Sequence, residues 1–168
     1  DGIFTPGGGP SPWRISTEGH SFAARPHVGA SLSGTIVNGW PYEELPFGDR
    51  PAGPKGVSPA HTAYLSIWGS QGITFDLNHI CLDLVGARIE RFTARVVNAN
   101  SNRTGRIGAD LWVLADGQVR FAKEGLGPTE TVDIEVTLDE GTRFLTLVTA
   151  ARGTTPMDST ENWYVILD

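Results

Sequence analysis

The sequence holds one cysteine and one methionine among 168 residues. A lone Cys81, in NHICLDL, excludes an internal disulfide framework and any thiolate-held metal cluster, and it reads as a buried structural thiol. Cationic residues are scarce too. Thirteen Lys and Arg against nineteen Asp and Glu leave a formal charge of −6, the reverse of the basic face that a nucleic-acid binder needs. No apolar run approaches the roughly 20 residues of a membrane-spanning helix. The four histidines (His20, His27, His61, His79) show no HxH or HExxH spacing, and no serine sits in a Gly-x-Ser-x-Gly elbow. Glycosidase carboxylates are paired in space rather than in sequence; the acidic clusters Glu43-Glu44 and Asp158/Glu161 read as solvated loop charge. The expectation is a chain with no catalytic residue and no cofactor, a structural calcium held by carboxylates and loop carbonyls being the one candidate ion. Asn102-Arg103-Thr104 matches a glycosylation acceptor, a pattern with meaning only in a eukaryotic secretory setting.

Glycine (21) and proline (11), by contrast, are plentiful and concentrated toward the front. DGIFTPGGGPSPW forbids helix and interrupts any ladder, so residues 1–25 are expected to form an extended, irregular N-terminal arm. Such an arm, if ordered, must be held against its own domain or an adjacent copy to offset the entropy lost. Residues 26–168 are expected to form one domain with a long loop at 38–60. Within it, NGWPYEELPFGDRPAGPKG carries four prolines, and Trp40, Tyr42 and Phe47 either pin it to the body or offer a binding edge. The opening at Asp1 without a leader-like stretch fits a processed mature protein or a piece of a larger one.

From residue 62 onward, short runs alternate apolar and polar residues between turn formers. AYLSIW, ITFDL, RFTARVVN, TVDIEVTL, FLTLVTAA and WYVIL are the strand candidates. In TVDIEVTL, Val132, Ile134, Val136 and Leu138 face inward; FLTLVTAA is apolar on both sides and belongs in the middle of a sheet. Gly69–Gly72 reads as a turn, and Asn78–Gly86 as a connection with one helical turn capped by Asn78. Eight or nine strands, almost no helix and no βαβ spacing give an all-β fold, an antiparallel β-sandwich of jelly-roll type.

Asp116-Gly117 marks a hairpin within IGADLWVLADGQVRFAK. A two-residue turn sets Trp112 opposite Phe121 and Leu114 opposite Val119. A three-residue loop, Ala115–Gly117 with Gly117 left-handed, sets Leu111 opposite Phe121 and Val113 opposite Val119, with Trp112 pointing away beside Arg120. The second closure is favoured. An outward Trp112 then needs a cover, which is a sugar, a neighbour or the chain's own arm.

A sugar site requires a flat aromatic face and planar polar groups that fork to hydroxyls. Before the last strand, RGTTPMDSTENWY supplies Arg152, Asp158, Glu161 and Trp163; Trp68 is a further solvent-facing candidate. Trp163 also suits a core plug. These five are the candidate carbohydrate-binding residues, while Ile3, Phe4, Trp13 and Trp112 are candidate partner or assembly contacts.

The pieces GITFDL (72–77), ARIERFTARV (87–96), ADLWVLADGQVRF (109–121), VDIEVTL (132–138) and RFLTLVTA (143–150) follow in the order and spacing of a known family. Residues from about 60 to 168 resemble the NPCBM family of carbohydrate-binding modules, bacterial β-sandwiches appended to glycoside hydrolases and large surface proteins. The resemblance implies a jelly-roll-like sandwich without catalytic machinery and, in some relatives, galactose-type sugar binding at loops on one end. Ala151 stands where the family carries an aspartate, and Asn162 precedes Trp163 where relatives end on Asp-Trp, so two acids that would orient a sugar or an ion are missing. The implied reading is a non-catalytic lectin-like module, secreted or at the cell surface, whose partner is an extracellular glycan or polysaccharide. The alternative is a structural subunit of a self-assembling filament or layer, the arm docking on another copy.

Overall fold

A computed structural model describes residues 2–4, 12–23, 37–39, 64–68, 71–82, 84, 87–98, 108–127, 130–151 and 162–166. At 3–4, 37–39, 64, 66, 68, 97, 151 and 162–166 the backbone alone is described.

Twelve strands are described: β1 (Gly2–Phe4), β2 (Trp13–Arg14), β3 (Ser21–Phe22), β4 (Val37–Gly39), β5 (Tyr64–Trp68), β6 (Gln71–Asp76), β7 (Arg91–Asn98), β8 (Ala109–Ala115), β9 (Gln118–Leu126), β10 (Thr131–Thr137), β11 (Phe144–Ala151) and β12 (Asn162–Ile166). One helix, α1 (Leu77–Leu82), follows β6. All pairings are antiparallel, in a five-stranded sheet ordered β1-β6-β11-β8-β9 and another ordered β10-β7-β12-β5-β4, with β2-β3 as a separate ribbon. Taken alone, β5 to β12 alternate between the sheets as 5-12-7-10 and 6-11-8-9, which is the double Greek-key winding of a jelly roll. The expected fold class is therefore the observed one. β1 and β4 add an outer strand to each sheet.

The core lies between the sheets. Inward residues of β8 (Leu111, Val113), β11 (Leu145, Leu147), β7 (Val96) and β10 (Ile134, Val136) are all buried, as strict alternation in TVDIEVTL predicts. β11 sits mid-sheet with every residue from Phe144 to Ala150 buried.

That second buried side has its own cover. The β2-β3 ribbon lies on the outer face of the β8/β11 sheet, where Ile15 and Phe22 pack on Trp112, Leu114, Val148 and Ala150. The Phe22 and Trp112 rings are 5.5 Å apart. Thr74 Oγ1 donates to the Ile15 carbonyl at 2.6 Å and lies 3.0 Å from Thr146 Oγ1, so both hydroxyls beneath the ribbon are satisfied, whereas the buried Trp13 Nε1 has no hydrogen-bond partner among the described residues. Of the three covers open to Trp112, the chain's own N-terminal segment is the one observed. Trp112 is 9% exposed, which corrects its assignment as a contact for another molecule. The same segment half-buries Trp13.

The hairpin departs from the favoured closure. Asp116 (φ 46°) and Gly117 (φ 79°) are both left-handed, a two-residue primed turn that matches strand twist. Ala115 opposes Gln118 and Leu114 opposes Val119; a bulge then sets Val113 against Phe121 and Trp112 against Ala122. The extra residue in β9 puts Phe121 on the Leu111/Val113 side without a longer loop. Three smaller corrections follow. Gln71 and Gly72 belong to β6 rather than to a turn, and Asp76, not Asn78, caps α1, its Oδ1 accepting the N–H groups of Asn78 (3.1 Å) and His79 (3.4 Å). Cys81 is half-buried rather than buried. The loop anchors Trp40, Tyr42 and Phe47 lie outside the described residues.

Candidate functional site

Jelly-roll winding sends four connections to one end of the sandwich: β5–β6, β7–β8, β9–β10 and β11–β12. Trp68 closes β5 and opposes Asn162, the first residue of β12; Trp163 opposes Ile67 on one side and Asn98 on the other. The segment carrying Arg152, Asp158 and Glu161 lies outside the described residues, but its two anchors, Ala151 and Asn162, are strand ends at this same end. Topology thus brings positions 68 and 163 and the two anchors of that segment to one end; positions 152, 158 and 161 themselves lie outside the described residues.

Register also divides them. Residues directly opposed in a ladder share a side of the sheet. Position 163 shares its side with Ile67 and Asn98, both fully buried, the register of a core plug. Position 68 lies on the other side of the same sheet. The two tryptophans are neighbours along the sandwich end yet do not form one platform.

Below the four connections lies a layer of buried, hydrogen-bonded polar side chains that sequence reasoning missed. Gln71, Asn98, Asp110 and Thr149 are each no more than 2% exposed. Asn98 Nδ2 donates to the Leu126 carbonyl at 3.0 Å, Thr149 Oγ1 donates to the Gln71 carbonyl at 3.3 Å, and Asp110 Oδ1 accepts the Gly125 N–H at 2.8 Å. None of the four is without a partner. Gly125 is left-handed (φ 66°) at a second bulge of β9, so a side-chain acceptor takes over its amide where the ladder breaks. The available signal was a polar residue ending an apolar run, as in ARVVN and GAD. At the rim, Glu130 accepts the Gly127 N–H (2.8 Å) and pairs with Lys123 (3.0 Å); the Gly127 amide first, and then Lys123, hold its carboxyl below the usual range.

The opposite end is built from charges. Arg143 sends Nη2 (2.9 Å) and Nε (3.1 Å) to Asp76 Oδ2 and Nη1 to Glu18. Its guanidinium sits 4.7 Å over the Phe144 ring. Asp116 receives the N–H groups of Arg143 (3.2 Å) and Phe144 (2.8 Å). Chiefly because of the Arg143 hydrogen bonds, the Asp76 carboxyl is held below its ordinary value. These groups use their capacity on one another and tie the ribbon, through Glu18, to the sheet. Among the described residues no cluster of three or more His, Cys, Asp or Glu has metal-site geometry, and no helix is long and apolar enough to cross a membrane. The calcium considered for segment 152–161 falls outside the described residues.

Of the assembly candidates, Ile3 and Phe4 lie in β1, paired with Ile73 and Gly72 of β6.

No family model matches the chain, and no curated protein matches it. Among solved structures, similar folds are found in carbohydrate-binding modules. One is the M60 catalytic domain with the CBM51-1 and CBM51-2 domains from Clostridium perfringens ZmpB, at 19% identity over 62% of this chain and 10% of that one, with a TM-score of 0.49. Another is CBM51 from Clostridium perfringens GH95 in complex with methyl-galactose, at 15% identity over 63% of this chain and 67% of that one, TM-score 0.48. A third is the tandem CBM51 modules of Sp3GH98, the family 98 glycoside hydrolase from Streptococcus pneumoniae SP3-BS71, at 17% identity over 84% and 43%, TM-score 0.48. The chain thus spans a tenth of the first structure and about two thirds of the second. What this chain itself binds has to be argued from its own residues.

Proposed function

We propose that this chain is a non-catalytic carbohydrate-binding module, secreted or displayed at a cell surface, that holds glycan at the four-connection end of the sandwich. The observation that carries the reading is the convergence there of Trp68 with both anchors of the segment bearing Arg152, Asp158 and Glu161. An aromatic and forked polar groups at one place are what a sugar site requires, and the buried polar layer beneath holds the strand ends in position. The resemblance of residues 60–168 to the NPCBM family points the same way.

A glycan array, followed by affinity electrophoresis on the retained polysaccharides, is the test. Arg152→Ala and Glu161→Gln are expected to weaken retention at least about tenfold, the worth of one good charged hydrogen bond, with unchanged melting. Absence of retention on every glycan ends the reading.

A second reading, a self-assembling extracellular subunit, draws on β1. Gly2–Phe4 adds to the β6 edge through backbone pairing, and another copy's β1 would satisfy that edge equally well. Sedimentation of the full chain at high concentration decides it: a monomer ends this reading.

A further inference from the structure

The outer side of the β10-β7-β12-β5-β4 sheet carries a combination that the core does not account for. Arg91, Thr93 and Arg95 of β7 and Thr131, Asp133 and Glu135 of β10 are all exposed there. The charges cancel in pairs. Arg95 grips Asp133 with Nε at 2.6 Å and Nη2 at 3.3 Å, and Arg91 Nη1 reaches Glu135 at 3.2 Å. On the other strands, register assigns positions to the same side. Ile166 opposes both Arg95 and Tyr64, Tyr164 opposes Val97 and Ser66, and Asn162 opposes Trp68. Positions 64, 164 and 68 therefore share the outer side with Arg95. They are successive diagonal neighbours across β5 and β12, at about 7–8 Å per step. Small residues border this aromatic row, Ser66 opposite Tyr164 and Gly39 opposite Tyr64. Its first member, Trp68, stands at the four-connection end.

We propose that the glycan site continues from that end along the row Trp68–Tyr164–Tyr64, so that the ligand is an uncharged polysaccharide gripped through several interior sugars rather than a single terminal one. The proposal rests on the carbohydrate-binding reading and adds a surface and a ligand class to it. Pyranose rings offer flat C–H faces to aromatic residues. Arg–carboxylate forks present planar donors and acceptors to hydroxyls, and their zero net charge gives a polyanion no advantage. The row's length, about 15 Å over its two steps, exceeds one sugar ring. The other sheet offers no comparable surface beneath its ribbon, since Trp112, Leu114 and Val148 are buried there.

The experiment compares retention of neutral polymers (mixed-linkage β-glucan, galactomannan, xylan), of their trisaccharide fragments, and of alginate as a polyanion. The full chain is expected to bind at least one neutral polymer about tenfold or more tighter than its fragment, the equivalent of one further stacking contact. Tyr164→Ala is expected to remove that advantage and leave fragment binding unchanged. Ser66→Lys, which places bulk in the row and takes nothing from the core, is expected to do the same and decides the matter if Tyr164→Ala does not fold. Equal affinity for polymer and fragment, a preference for alginate, or full polymer binding by the folded variants overturns the proposal. If Arg152→Ala still abolishes binding in that case, the site at the connections stands without the row. Absence of retention of every polymer and fragment by the unaltered chain overturns both.

Discussion

The two sheets contain five strands each and live in different surroundings. In the sheet of β8 and β11 those two strands are dry on both sides, while β9 at its edge is largely exposed. All seven residues of β8 are buried, because the opposite sheet covers one side and the β2-β3 ribbon the other. In the sheet of β7 and β10 alternation survives. Ile134 and Val136 are buried while Asp133 and Glu135 are exposed and ion-paired. The difference teaches where stability resides. An outward side chain of β8 or β11 is a core residue, whereas its counterpart on β7 or β10 is exposed to solvent.

The strongest way to break this contrast is Trp112→Ala. Removing a large side chain beneath the ribbon is expected to cost about 3–5 kcal/mol and to lower the thermal midpoint by roughly 10 °C. A midpoint unchanged in a calorimetric scan would mean that the ribbon does not cover this face. Gly117→Ala tests the same cover from the turn. A Cβ there would stand 3.1 Å from His20 Cβ, at a φ of +79°. The left-handed backbone alone is expected to cost about 1–2 kcal/mol, read as a lower urea midpoint, with the His20 contact adding to it.

The Asp76–Arg143 pair sharpens the comparison through pH. Because the folded state holds the Asp76 carboxyl below its ordinary value, the native form favours the deprotonated group. The stabilisation is fully present above the ordinary carboxylate range, near pH 4, and is lost as pH falls through that range toward the depressed folded value. Asp76→Asn should lower stability at neutral pH and flatten the curve between about pH 2 and 6; parallel curves for mutant and parent would refute the linkage. The smallest effect belongs to the open face. Arg95→Ala removes a fork to Asp133 that is exposed on both sides, and screening leaves such pairs little net worth. Its thermal midpoint should match the parent's within error at moderate salt.

The sequence was most informative where one side of a strand faces water. TVDIEVTL declares its inner face by period two, and β10 follows it residue for residue. FLTLVTAA, lacking alternation, announced a strand buried on both sides without saying by what. The ribbon supplies that answer through contacts such as Thr74 to Ile15, 59 positions apart, beyond the reach of local pattern. The hairpin's turn was legible and its closure was not, since a bulge at Arg120 gives Phe121 the facing of a longer loop while leaving Val119 with that of the two-residue turn. Composition marked residues 1–25 as irregular, yet an ordered arm required a partner, and Ile15 with Phe22 found it on the chain's own sheet. At the site, residue types suggested Trp68 and Trp163 together. Their separation onto two sides depends on how β12 registers against β5, about a hundred residues away in sequence, and against β7, about 70 away. The buried layer of Asn98 and Asp110 was hidden for a similar reason: a polar residue at either end of a strand, as Asn98 ends β7 and Asp110 lies at the start of β8, looks like part of the adjoining loop.

β6 would be the outermost strand of its sheet but for Gly2–Phe4. A protease that cuts the chain just after those residues would uncover a row of amides able to template any extended polypeptide nearby. The shelf life of purified material should therefore track the intactness of the stretch carrying Gly2–Phe4, which mass spectrometry of aged samples can follow.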